Sequence, residues 1–187
     1  MSFKSTIIRH QKMVEGLLEL EKPVAQLVDH IESALANGNK VFFFGNGGSA
    51  SDSQHLAAEF VVRYYKQRQP LAAIALTTDT SILTAHGNDY SFDTIFDRQI
   101  QALAKAGDIA IGLSTSGNSQ NVINATHIAK EVGCWTCAFT GATGGQLRDI
   151  ADLCLQVPSD ETARIQEGHI IIGHWICEAL DQNLSEK

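Results

Sequence analysis

Residues 41 to 59, VFFFGNGGSASDSQHLAAE, restrict the possible folds of this chain more than any other stretch. Val41 to Phe44 read as a short apolar strand and Gly45 to Gly48 as a tight turn. Ser49 onward reads as a helix, with Ser49 as its N-cap, because Ser caps well and Ala, Gln and Leu propagate a helix. A strand that turns through glycines into a helix makes an anion site. The glycines let the backbone come close to a ligand, and the first helical N–H groups, without intrahelical partners, point at it with the positive end of the dipole behind them. His55 and Glu59 are four apart and so share a face of that helix, about two turns on. An acid/base or metal pair therefore stands beside whatever the turn holds.

The rest of the chain repeats the strand, loop, helix order. Residues 3 to 20 and 22 to 37 carry apolar positions at helical spacing, with Pro23 in the first turn of the second helix and Gly38 at its end. Leu71 to Leu76 is an expected strand, and helices are expected over 78 to 85 and 95 to 106, separated by the polar break HGNDYSFD. Strands follow at Ile109 to Leu113, Trp135 to Thr140 and Leu153 to Val157, and helices at about 120 to 132, 145 to 150 and 162 to 184. Continuously apolar strands that alternate with helices imply an α/β fold with a parallel sheet covered on both faces, whose ligands bind at the strands' carboxyl ends. At 187 residues the whole chain, 1–187, suits one domain.

Charge and cysteine usage narrow the function. Against 14 Lys and Arg stand 21 Asp and Glu, a formal net charge of −7, so neither nucleic acid nor an anionic membrane is an expected partner. No apolar run approaches the roughly 20 residues that span a bilayer, and MSFKSTIIRHQKMVEG lacks the apolar region of a signal peptide; a cytoplasmic protein is expected. Cys134 and Cys137 form a C-x-x-C, but within CWTCAF they read as a buried strand. A redox pair needs its first Cys at a helix N-terminus, and no second C-x-x-C exists for a zinc site.

Three further motifs bear on the ligand. Gly45, Gly47 and Ala50 satisfy G-x-G-x-x-A, yet the second strand ends near Asp79, beyond the roughly 20-residue spacing that a dinucleotide site uses for its acid. No G-K-[ST] follows, which excludes a nucleoside-triphosphate loop and leaves a smaller phosphate, as on a sugar. Ser114, Thr115, Ser116, Gly117, Asn118 and Ser119 offer hydroxyls and backbone donors at another strand end, fit for a phosphate and the hydroxyls of a polyol chain. The last helix carries Gln166, Glu167, His169 and His174. Gln166 and His174 lie on nearly one stripe, about 12 Å apart in rise, and His169 points elsewhere. That separation strains a single metal site, so either the site is elongated or a second chain helps to build it.

GNGGSASDSQH with Glu59, then GNDYSF, STSGNS, and TARIQEGH with His174, resemble the bacterial phosphoheptose isomerases of the sugar isomerase (SIS) family. The resemblance runs through nearly the whole chain. It implies a flavodoxin-like, doubly wound five-stranded parallel sheet with helices on both faces and two extra N-terminal helices, and a homotetramer with shared active sites. It also implies conversion of sedoheptulose 7-phosphate to D-glycero-D-manno-heptose 7-phosphate, on the way to ADP- and GDP-heptose and lipopolysaccharide core. By resemblance, zinc, one per active site, is held by His55, Glu59, Gln166 and His174. Substrate contacts fall on Asn46, Gly47, Gly48, Ser49, Glu59, Asn88, Asp89, Ser114, Thr115, Ser116, Ser119 and Gln166. Some members carry an Asp three residues before this Gln, where the chain has Ala163.

Glu59 and His174 are the expected catalytic pair for an enediol mechanism, with their acid and base roles exchangeable. The alternative is a non-catalytic adaptor of the same family that binds a replication-initiation protein. Those adaptors share the glycine loop and the ARIQE helix but lack the acid and the second histidine.

Overall fold

A computed structural model describes residues 2–184; Met1 and residues 185–187, the ends of the expected domain, lie outside the described residues. Five strands, β1 (Val41–Gly45), β2 (Ala73–Ala75), β3 (Ile109–Leu113), β4 (Trp135–Thr140) and β5 (Leu153–Gln156), form one sheet in the order β2-β1-β3-β4-β5. Every pairing is parallel. This is the flavodoxin-like order, and it reverses direction between β1 and β3, which opens a crevice at their carboxyl ends.

The central strands β1 and β3 are apolar throughout because each buries both faces. Val41 and Phe43 belong to one core with Ile109, Ile111, Phe139 and Leu155, while Phe42 and Phe44 belong to a second with Ala110 and Ala138. The first core is covered by α1 (Phe3–Gly16), α2 (Glu21–Ala36), α3 (Gly48–Val61) and α8 (Thr162–Leu184), which contribute Met13, Leu27, Ile31, Leu56, Phe60, Ile172 and Leu180. The second is covered by α4 (Thr80–Asp89), α5 (Asp97–Leu103), α6 (Gln120–Val132) and α7 (Leu147–Ile150), through Leu83, Ile100, Val122, Ala125 and Leu147. The two leading helices are thus extra layers on one face, as expected.

Local departures have local causes. The helix expected over 3 to 20 ends at Gly16, a poor helix former, and tightens into a 3-10 turn, Leu17–Leu20, that brings Leu17 and Leu20 onto the core. α4 starts at the Asp79 cap, whose side chain accepts from the Ile82 N–H, and runs on to Asp89, through half of the expected polar break. β2 is only three residues long because as an edge strand it pairs with β1 alone. The C-x-x-C is structural: Cys134 and Cys137 are free, buried thiols, and burial pushes both above their ordinary range. No helix among the described residues is long and apolar enough to cross a membrane.

Candidate active site

The turn after β1 enters its helix two residues earlier than expected. Gly47, not Ser49, occupies the N-cap position, with φ 57° and ψ −119°, a conformation open to glycine, and α3 begins at Gly48. Ser49 is therefore buried in the first turn, its N–H on the Asn46 carbonyl at 3.0 Å. Gly48 is needed for a second reason. A Cβ there would stand 2.3 Å from Nε2 of Gln166, so the start of α8 lays Gln166 across the glycine turn.

From that meeting point α3 and α8 run side by side in the same direction. Two turns on, Gly173 lies so close to Leu56 that a Cβ would be 2.4 Å from its Cδ2, and this close approach sets His174 beside His55. Their Nε2 atoms are 2.9 Å apart, one ring nitrogen donating to the other, and His55 Nε2 is 3.5 Å from Glu59 Oε1. His174 is pulled below its ordinary range by burial and by the neighbouring His55, against the opposite pull of Glu59. His174 and Glu59 thus flank His55 where α3 and α8 meet. His169, on another stripe, is fully buried with Nε2 on the Thr140 carbonyl at 3.2 Å.

The second donor loop is held in shape by its own hydroxyls. Ser114 Oγ meets Ser119 Oγ at 2.9 Å and Ser116 Oγ at 3.4 Å, and Ser116 Oγ accepts the Asn118 N–H at 3.1 Å. Thr115 stands half-buried beside them. Because β1 and β3 are register neighbours, Gly45 against Leu113, this loop and the glycine turn leave the same sheet edge side by side. Two residues of the candidate site, Asn121 and Asp52, carry no expectation from the sequence. Asn121, 2% exposed on α6, exchanges hydrogen bonds of 2.8 and 3.0 Å with Asn46, which ties the two loops together; an Asn within a helix gives no local signal for this. Asp52 stands on the stripe of Gly48, His55 and Glu59, and that spacing was a signal. Its Oδ2 is buried without a hydrogen-bond partner among the described residues, and burial pushes the carboxyl up, with His55 opposing.

Asn88 and Asp89 are not brought in. They sit exposed at the end of α4, bonded to each other at 2.9 Å, and among the described residues they make no hydrogen bond to either loop or to α8. Ala163 is exposed. The zinc donors are of the right kind, two imidazoles and a carboxylate. Their arrangement is a row, Glu59 to His55 to His174, and among the described residues no three His, Cys, Asp or Glu side chains converge as a ligand set. Gln166 stays with Gly48, two turns away.

The sequence pattern of the SIS domain matches residues 8–141. The chain belongs to the SIS domain family. Its likeness to other SIS proteins extends past that stretch through α8. It is 52% identical over 182 residues to the phosphoheptose isomerase of Geotalea daltonii, covering 97% of this chain and 95% of that one. To the phosphoheptose isomerase of Aquifex aeolicus it is 58% identical over 157 residues, 84% and 82% of the two chains. The solved structure of the phosphoheptose isomerase from Neisseria gonorrhoeae superposes with a TM-score of 0.90 at 42% identity, covering 96% of each chain.

Proposed function

We propose that the chain is an aldose-ketose isomerase converting sedoheptulose 7-phosphate to D-glycero-D-manno-heptose 7-phosphate through an enediol. The observation that carries this reading is the contact of His174 with His55 beside Glu59, two turns along α3 from a glycine turn, in a chain half identical to phosphoheptose isomerases. The phosphate is taken at the glycine turn that opens α3 and by the serine loop, and the hydroxyls of the sugar chain by Gln166 and the same loop. The carbonyl end then reaches Glu59 and His174. One of the two removes the C1 proton, the carbonyl oxygen at C2 gains a proton, and the enediol collapses with a proton delivered to C2 and one lost from the C1 hydroxyl.

Zinc, one per site on His55, Glu59, Gln166 and His174, is supported by the kind of donor alone, since among the described residues these side chains do not converge; bound, it would polarise the sugar carbonyl. No proton step above depends on it. A homotetramer with shared sites is supported by apolar side chains left open on and after α1, Phe3, Ile7, Ile8 and Leu18, the last lining one groove with the open Trp175 of α8. A homotetramer also offers Asn88 and Asp89 a way into a neighbour's site. A cytoplasmic place and a product bound for nucleotide-activated heptose and lipopolysaccharide core complete the reading. The adaptor alternative is not favoured, since the acid and both histidines are present and together.

The test is NMR detection of the aldose from sedoheptulose 7-phosphate by purified, metal-analysed protein, beside Glu59→Gln. Product from wild type that is lost in the variant supports the reading; full activity in Glu59→Gln removes Glu59 from the mechanism, and no product from wild type, with or without zinc, sinks the isomerase.

A further inference from the structure

The loop leaving the C-terminal end of α3 carries Arg68, and α8 carries Asp181 two turns beyond His174. Their side chains, 1% and 2% exposed, pair at 2.7 Å from Nε to Oδ1 across 113 residues of sequence. Arg68 also donates from Nη2 to the Glu59 carbonyl at 2.8 Å and from Nη1 to the Phe60 carbonyl at 2.9 Å. Those are carbonyls of the last turn of α3, which have no partner within the helix, and a cation there also complements the dipole. Asp181 Oδ2 accepts the N–H groups of Tyr65 and Lys66 at 2.7 and 2.8 Å. The loop so bent lays Tyr64 against His174, ring centroids 5.5 Å apart.

Stability is a weak reason for such a pair, because well-packed apolar residues often serve a buried site as well. Its placement is more telling. One end grips the main chain of Glu59 and the other is fixed to the helix of His174, while the loop between them supplies the ring that backs His174. We infer that the Arg68–Asp181 pair is a positioning device that sets the separation of Glu59 from His174, with Tyr64 as its third part. The inference rests on the isomerase reading for the roles of those two residues. Loosening the pair displaces the reacting groups relative to each other and leaves the phosphate site, at the other end of α3, in place.

The variants are Asp181→Asn and Arg68→Lys, the latter keeping a positive charge and losing the fork that spans Asp181 and the two carbonyls. Both are assayed at a temperature where circular dichroism shows them folded, beside Asp108→Asn, a buried acid remote from the site. The expected result is a kcat at least about tenfold lower with KM and competitive inhibition by inorganic phosphate within about twofold, since small misplacements of reacting groups act on kcat. Asp108→Asn is expected to lose stability with kcat unchanged. A folded Asp181→Asn or Arg68→Lys with unchanged kcat overturns the inference, and so does an equal fall in Asp108→Asn. Should Asp181→Asn fail to fold, Arg68→Lys decides alone. Should wild type give no aldose, the isomerase reading fails separately, and 15N-labelled histidine spectra decide the positioning. Nε2 resonances of His55 and His174 that shift in either variant and not in Asp108→Asn support it; unmoved resonances overturn it.

Discussion

The two ends of the sheet are built from the same residue types and used in opposite ways. At the amino ends of the strands the acids are consumed by the fold. Asp108, fully buried, accepts from the Lys40 N–H at 3.0 Å, the Lys40 ammonium at 2.7 Å and the Lys105 N–H at 2.9 Å. Asp152 accepts from the Thr136 N–H and hydroxyl and from Lys130 and is held below the ordinary carboxylate range, its donors outweighing the burial that pushes it up. At the carboxyl ends the polar groups hold one another in shape, as Asn46 holds Asn121 and Ser114 holds Ser119, while Gln166 lies on Gly48 and His55 stands between Glu59 and His174. An acid whose oxygens all have donors supports a fold. Asp52, on the α3 stripe of His55 and Glu59, has one buried oxygen with no donor among the described residues.

Glu59→Gln breaks the carboxyl end most severely: kcat falls by about 100- to 10,000-fold, the usual range for a general acid or base, with the melting temperature nearly unchanged. Asp108→Asn is the mirror experiment at the amino end. Removing one partner of a buried ion pair costs about 3 kcal/mol or more, so the melting temperature drops by roughly 6 to 12 °C, while activity per folded molecule is kept.

A pH titration of stability sharpens the contrast within the carboxyl end. Burial pulls His169 down to about 4, with the Thr140 carbonyl opposing, from an ordinary 6.5. The unfolded chain takes up that proton near 6.5 and the folded chain only near 4, so this contribution to stability is whole above 6.5 and lost as pH falls toward 4. By pH 5 the loss is about 2 kcal/mol, or roughly 4 to 8 °C in melting temperature. Asp97, pushed up by burial to about 6, works in the other direction over the same range, so the readout is the difference between wild type and His169→Gln, whose melting temperature falls less on acidification. An equal fall in both assigns the acid sensitivity elsewhere. The smallest effect is that of Gly48→Ala. The new methyl meets only the movable end of Gln166, so folding changes by about 1 kcal/mol or less, and KM rises about tenfold as Gln166 swings off the turn. An unchanged KM removes Gln166 from substrate binding.

Much of the molecule was legible locally. Runs such as VFFF and IAIGL, alternating with helical patterns, read as strands buried on both faces, and the helix read at about 120 to 132 is α6. The pairing of His55 with Glu59 followed from helical spacing alone. The N-cap at Gly47 was missed because Ser49 is the better cap by side chain, and the positive φ that overrides it belongs to the turn's path across the sheet edge.

The amino-acid sequence by itself determined the parallel α/β class, the glycine turn into a helix and the Glu59–His55 face, since each depends on neighbours within about two helical turns. Tertiary structure decided that His174 meets His55 119 residues away, that Gln166 lies on Gly48, and that Arg68 finds Asp181. Those contacts depend on how close α3 and α8 pack along their length, which Gly48 and Gly173 permit by lacking a Cβ, and helix spacing is set by the whole core between them.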